Sequence, residues 1–207
     1  MKYYSQIGQD KYIDNKLKGK SYGVFLDIGA FDGVEQSNSF FFEDERDWSG
    51  LCIEPHPKLF QKLKSSRKCI CENYAISDEI GEEKFLVIEG YASSLSGLVK
   101  YYNKDHKKRI DAEVKEHGDK TEFVNINTAP LQYLLDKHDM SVIDYCSLDV
   151  EGAELEVLKS IDFDKTHISY FTIENNYGNE GVKEFLESKG YTLIDRIQFD
   201  DVFFKEE

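Results

Sequence analysis

Two groups of acidic residues in this 207-residue chain have types and spacing suited to chemistry. The first is the turn Asp27-Ile28-Gly29-Ala30-Phe31-Asp32-Gly33, followed by Glu54-Pro55. A glycine-rich turn that cradles a pyrophosphate brings bare backbone against it, and a carboxylate at Asp27 would repel that ligand. From Asp27 through Glu45 there is also no Lys or Arg. An acidic turn suits a cation instead. S-adenosylmethionine carries a sulfonium and an ammonium and no phosphate, and it is the ligand this turn selects. Glu54 can accept from both ribose hydroxyls, the role an acid plays about 20 residues beyond such a turn. Ala75 and Ile76 are placed to flank the adenine. The plainer alternative, in which Asp27 caps a helix and the glycines ease a tight turn, does not explain Glu54.

The second group is Asp149, Glu151 and Glu174, with Asn175 beside the last. Carboxylates at neighbouring strand ends can act as general bases toward a weakly acidic hydroxyl, and Asp149, Glu151 and Glu174 are the catalytic candidates. Asp149, Glu174 and Asn175 would also suit a hard divalent ion such as Mg²⁺ or Mn²⁺. Capping by the two acids and a turn at Asn175 are the structural alternatives. Ser93, Ser94, Ser96 and Gly97 form a small polar loop, and Tyr91, Tyr101 and Tyr102 can stack on a sugar ring or simply sit exposed beside it. His56, between two prolines, reads as a loop residue. His106, His117 and His138 lack ligand spacing and are assigned to solvent.

The elements that must position these groups alternate. Gly23 to Leu26 is an apolar run ending at Asp27, and Phe40-Phe41-Phe42 can anchor the helix after the turn. Leu51 to Ile53 ends at Glu54, and a helix runs from about Lys58 to Ser65. Cys69 to Ile76 supplies a third strand and its exit loop; Glu83 to Ile88 and Glu122 to Ile126 are further strand candidates. Thr128 can cap a helix containing Leu131, Leu134 and Leu135, and Val142 to Leu148 is a buried strand ending at Asp149. Ala153 to Ser160 suits a helix, and Ile168 to Ile173 a strand ending at Glu174. Asn179 can cap a helix that buries Val182, Phe185 and Leu186 and stops at Gly190. Tyr191 to Ile197 and Val202 to Phe204 form a final hairpin. The pattern specifies an α/β fold, a doubly wound Rossmann-like sheet, mostly parallel with a C-terminal antiparallel hairpin, whose site lies at the carboxyl ends of the strands.

Length and an apolar fraction of 40% suit one domain over 1–207. With 26 Lys and Arg against 40 Asp and Glu, the net charge of −14 argues against nucleic acid or an anionic membrane as partner. The absence of a leader pattern or long apolar run gives the expectation of a soluble, cytoplasmic protein. Cys52, Cys69, Cys71 and Cys146 read as free thiols. Lys104 to Lys120, dense in charge, reads as a solvated helix or an excursion.

The chain resembles the FkbM-type methyltransferase family. The resemblance lies in Ser5-Gln6-Ile7-Gly8-Gln9-Asp10, Phe25 to Gly33, Ser37-Asn38-Ser39, Trp48 to Pro55, and Ser147-Leu148-Asp149-Val150-Glu151-Gly152-Ala153-Glu154. It implies a class I methyltransferase sheet and methyl transfer from S-adenosylmethionine to an oxygen, often a hydroxyl of a sugar, glycan or other small molecule. By position, Asp27, Gly29 and Ala30 would contact the methionine part, with Ser37 and Asn38 beside it. Glu54 would hold the ribose, and Ser5 and Gln6 would close over the cofactor. Asp149, Glu174 and Asn175 resemble the acid, acid-Asn set of metal-dependent O-methyltransferases. Two other functions stand as alternatives: a non-catalytic S-adenosylmethionine-binding module and a nucleotide-dependent oxidoreductase.

Overall fold

The structure is a computed structural model and describes residues 1–176, 178 and 180–206. In chain order, the first part comprises α1 (Gln9–Lys16), β1 (Val24–Ile28), α2 (Phe40–Arg46), β2 (Ser49–Ile53), α3 (Pro57–Ser66) and β3 (Ile70–Glu72). Next come β4 (Ala75–Ile76), β5 (Gly81–Glu89), β6 (Gly97–Leu98), α4 (Lys104–His117) and β7 (Lys120–Ala129). The last part is α5 (Leu131–Lys137), β8 (Val142–Leu148), α6 (Glu154–Lys159), β9 (His167–Glu174), α7 (Glu180–Ser188), β10 (Thr192–Ile197) and β11 (Asp200–Phe204).

Strands with apolar residues on both faces need cover on both, and helices supply it. Along β1, Phe25 enters one core and Leu26 and Ile28 the other. Ile13 of α1, Phe41 and Phe42 of α2, and Phe60 and Leu63 of α3 cover the Phe25 face. Leu131, Leu134 and Leu135 of α5, Val157 and Leu158 of α6, and Val182 and Leu186 of α7 cover the other. The three leucines of α5 are fully buried, each worth roughly 1.5–3 kcal/mol. The sheet runs β10-β11-β9-β8-β1-β2-β3, parallel from β9 to β3, with β11 and β10 antiparallel at the edge. The doubly wound sheet with its final hairpin is thus present.

Between β3 and β8 the chain builds a second sheet, β4-β7-β5-β6, around the long antiparallel pair of β5 and β7. Ala75 and Ile76 are therefore a strand of this sheet, paired with Thr128 and Ala129, rather than an exit loop. Thr128 does not cap α5. It lies in β7 with its hydroxyl donating to the Glu79 carbonyl, and Pro130 precedes the helix instead. Most of the charged Lys104 to Lys120 stretch is α4, which ends at His117 before β7 begins at Lys120, and its Ile110 packs with Leu86 and Ile88 of β5. All four cysteines are free. Asn179, the expected cap of α7, lies outside the described residues. Among the described residues no helix is long and apolar enough to cross a membrane.

Candidate active site

The strand order reverses between β1 and β8, and a crevice opens at their carboxyl ends, the position such sheets use for ligands. It measures about 1250 Å³ including its open mouth. Gly29, φ +86°, forms its floor: a Cβ there would stand 1.8 Å from the Asp149 carbonyl oxygen, so only glycine lets β1 and β8 approach. The amides of the turn are directed inward. Gly29 N and Ala30 N donate to the Ile53 carbonyl at 3.0 and 3.1 Å, Gly33 N to Ala30 O at 3.0 Å, and Phe31 N to Glu54 Oε2 at 2.8 Å. No bundle of free N–H groups is left here for a pyrophosphate.

Asp27 is buried with Ser39 Oγ donating to it at 2.5 Å. Burial raises its pKa, while the Arg67 guanidinium and the Ser39 hydrogen bond act in the opposite direction. The Arg67 side chain is itself fully buried. Its Nη1 donates to Gly33 O at 3.1 Å, Nη2 to Ser39 Oγ at 3.1 Å, and Nε to Glu43 at 3.3 Å. This arginine ties the turn, α2 and the end of α3 together, and nothing in the sequence pattern singled it out.

Each oxygen of Glu54 accepts one backbone amide, from His56 at 2.7 Å and from Phe31 at 2.8 Å. A carboxylate has about four acceptor sites, so one on each oxygen remains for a ribose hydroxyl. Burial pushes Glu54 up to about 8 despite those amides. His56 is a helix cap at the crevice wall, not merely a loop residue: its Nδ1 accepts from Lys58 N and Leu59 N. Ala75 and Ile76 also line the crevice.

Ser37 Oγ accepts from the amides of Ser39 and Phe40 at the start of α2. Asn38 donates to Ser147 Oγ at 2.9 Å, while its Oδ1 is buried and has no partner among the described residues. That oxygen is an acceptor ready for a donor such as an ammonium. Gln6 lines the crevice, whereas Ser5 stands outside it. The Ser5 hydroxyl is held by Asp10 Oδ1 at 2.5 Å, and the residue bridges to Gln36, fixing the N-terminal segment along the crevice rim. Gln9, inside the same motif, reaches the wall and donates to Asp200 at 2.8 Å. Asp200 and Phe199, at the tip of the final hairpin, also line the crevice without having been anticipated.

Asp149, Glu151 and Glu174 converge, with one oxygen of each within 4.8 Å of the others. Solvent reaches Asp149 through the crevice mouth while protein atoms crowd it from the sheet side. Burial first, then Glu174 and Asp200, push its carboxyl well above the usual range. Burial and then Asp149 raise Glu151 to about 8 against the pull of Arg109; burial and then Glu151 raise Glu174 to about 8. Glu151 has φ +56° and is followed by Gly152 at φ +107°, a left-handed pair uncommon for a non-glycine residue. Glu154 holds this loop by accepting from Gly152 N at 2.9 Å.

Asn175 does not join the acids. It follows Glu174 in an extended chain, so its side chain takes the opposite face and donates to Asp201 at 2.7 Å. Glu151 occupies the third place instead. His106 is not in solvent either: it is fully buried on the inner face of α4, with Nδ1 3.7 Å from Glu151 Oε2. Arg109 Nη1 lies 3.4 Å from the same oxygen, so the second sheet's helix bears directly on the acidic cluster. His138 contacts Glu72 at 2.7 Å, and His117 stacks on Tyr91 at the surface.

Residues 27–193 match the family described as the methyltransferase FkbM domain. A search of curated proteins returns no match. Among solved structures, a precorrin-6y C5,15-methyltransferase from Geobacter metallireducens GS-15 aligns with 95% of this chain and 88% of its own, at 13% identity and a TM-score of 0.49. A human methyltransferase 10 domain containing protein aligns with 94% of this chain and 77% of its own, at 13% identity and a TM-score of 0.44. With the family match spanning the acidic turn, Glu54 and the second acidic cluster, the chain belongs to the FkbM-domain methyltransferases, which take their methyl group from S-adenosylmethionine.

Proposed function

We propose that this protein transfers the methyl group of S-adenosylmethionine to a hydroxyl oxygen of a sugar or glycan. The observation that carries this reading is the convergence of Asp149, Glu151 and Glu174 beside the turn that holds the donor. The residues present fit the cofactor: Asp27 lies near its cationic end, Asn38 Oδ1 offers an acceptor for its ammonium, and Glu54 keeps acceptor sites for its ribose. Methyl transfer to oxygen is an in-line displacement in which the C–O bond forms as the S–C bond breaks, and the hydroxyl proton must go to a base. Asp149, open to the crevice, is the group that receives it, its basicity raised by burial and by the neighbouring Glu174 and Asp200. A carboxyl shifted upward is a stronger base near neutral pH than an ordinary one.

Screening sugars and glycans for S-adenosylhomocysteine release tests the proposal. Release with one or more alcohols is expected; binding of S-adenosylmethionine with no transfer to any of them would favour a non-catalytic module. The oxidoreductase alternative loses support from the inward-directed amides of the turn. Mg²⁺ or Mn²⁺ held by Asp149, Glu151 and Glu174 is a second reading, favoured by the mutual approach of three repelling carboxylates, which a cation would relieve. Such an ion would supply Lewis-acid polarisation of the hydroxyl. Full activity after exhaustive chelation removes it.

A further inference from the structure

We infer that the acceptor offers hydroxyl or ammonium donors to the crevice and carries no phosphate, sulfate or carboxylate group. The inference rests on the proposed methyl transfer to a hydroxyl and narrows its substrate class. Its basis is the charge of the crevice wall, which among the described residues carries acids and no Lys or Arg.

Proteins hold anions with Lys or Arg, with clusters of free amides, or with the open N-termini of helices. Among the described residues, the crevice wall has no Lys or Arg, but it includes Asp27, Glu35, Glu54, Asp149, Glu151 and Asp200. Arg109, the cation beside Glu151, does not line the wall and is shared between Glu151 at 3.4 Å and Glu113 at 3.0 Å. The amides of the donor turn are already bonded to Ile53 O, Ala30 O and Glu54. Of the helix starts that border the crevice, those of α2 and α3 have side chains on their first amides, Ser37 Oγ accepting from Phe40 N and His56 Nδ1 from Lys58 N and Leu59 N. The start of α6 has no such cap but carries the carboxylates of Glu154 and Glu156 in its first turn, which oppose an anion there. At α1, Ser5 Oγ accepts from Gly8 N at 3.1 Å and from Asp10 N at 3.4 Å. These are separate features of separate segments, and among the described residues they set carboxylates, not cations, around the crevice.

The cofactor's own carboxylate is balanced within the molecule by its ammonium. An anionic acceptor would have no such balance and would stand beside Asp149, Glu151 and Asp200. The opposite wall, from the second sheet, presents the small polar residues Ser93, Ser94 and Ser96 together with Phe85 and Leu98. Hydroxyl groups and an apolar face are what a neutral sugar ring can use.

The test compares matched acceptors on the full-length protein with S-adenosylmethionine: neutral sugars and oligosaccharides, their amino-sugar analogues, and the corresponding phosphates and uronates. Turnover of neutral or amino sugars is expected, with kcat/KM for the anionic partner down by about 100-fold or more, given the cost of like-charge juxtaposition. The neutral and amino arms separate a hydroxyl-only ligand from a cationic one. An anionic derivative used as well as its neutral parent overturns the inference. Ser94→Lys, which adds a cation to the wall, should narrow the ratio at least tenfold; an unchanged ratio shows that wall charge does not set the preference. Titration of inorganic pyrophosphate into the S-adenosylhomocysteine-loaded protein in EDTA tests the crevice directly, even if no alcohol is methylated. No measurable binding supports the inference, and a Kd below about 1 mM overturns it.

Discussion

Replacing Arg67 by Met removes a charge that three segments share. Its side chain is fully buried, and its guanidinium bonds Glu43, the Gly33 carbonyl and the Ser39 hydroxyl that in turn holds Asp27. Methionine fills much of the volume but leaves Glu43 and Asp27 buried without their counter-charge. Breaking a buried pair from one side costs about 3–5 kcal/mol. Glu43 keeps the amides of Lys68 and Cys69, at 3.1 and 3.0 Å, which places the loss toward the lower end. For a domain of this length, about 3 kcal/mol lowers Tm by roughly 6–12 °C. Asp27, already raised by burial, loses the guanidinium that opposes the shift, is less ionised at pH 7, and should bind S-adenosylmethionine about tenfold more weakly, a change of ~1.4 kcal/mol. Thermal unfolding and isothermal titration measure the two effects. Arg67→Lys should fall between, since it retains charge but not the planar fork. A Tm within about 2 °C of the parent together with unchanged cofactor affinity would refute the role assigned to Arg67.

Three further predictions concern the site. Asp149→Ala should abolish turnover while cofactor binding stays measurable by titration; unchanged turnover removes Asp149 from the chemistry. Gly29→Ala should destabilise by roughly 3 kcal/mol or more in urea unfolding, because the new Cβ meets the Asp149 backbone and φ is +86°; a loss below about 1 kcal/mol would contradict the close strand approach. Glu54, Glu151 and Glu174 are all raised to about 8 in the fold, so the native state binds more protons than the unfolded chain between pH ~4.5 and 8. Their contribution is full below the unfolded pKa and lost as pH rises, so Tm of the ligand-free protein should fall from pH 5 to 8; a flat or rising Tm would refute the shifts.

The acids at the strand ends were legible because each follows a short apolar run, and in a doubly wound sheet such runs end at one crevice. Asp27, Glu54 and Asp149 line it for that reason, and Glu174 stands close behind. Asn175 was misplaced by treating consecutive strand residues as one cluster, although alternation sends neighbours to opposite faces. His106 was hidden by the charge of its helix; its relation to Ile110 and Val114 at four-residue intervals was the available signal. Strands β5 and β7 were visible in the sequence, but not their separate sheet, because pairing partners are a property of long-range contacts. Arg67 carried no local signature at all. A buried arginine is defined by the acids around it, and those come from elsewhere in the chain.

The contact of Gly29 with Asp149 has a consequence for how the molecule comes into being. β1 is an inner strand, yet the second neighbour that makes it one, β8, emerges only after the entire second sheet has been synthesised. Long-range parallel pairings form late because the intervening loop must close first. During translation β1 therefore presents a bare edge to its surroundings, with Phe25, Leu26 and Ile28 awaiting cover. The antiparallel pairing of β5 with β7 closes a shorter loop than β1 with β8 and shortens that wait by drawing the chain ends on either side of it together, so the second sheet serves assembly as well as the crevice wall.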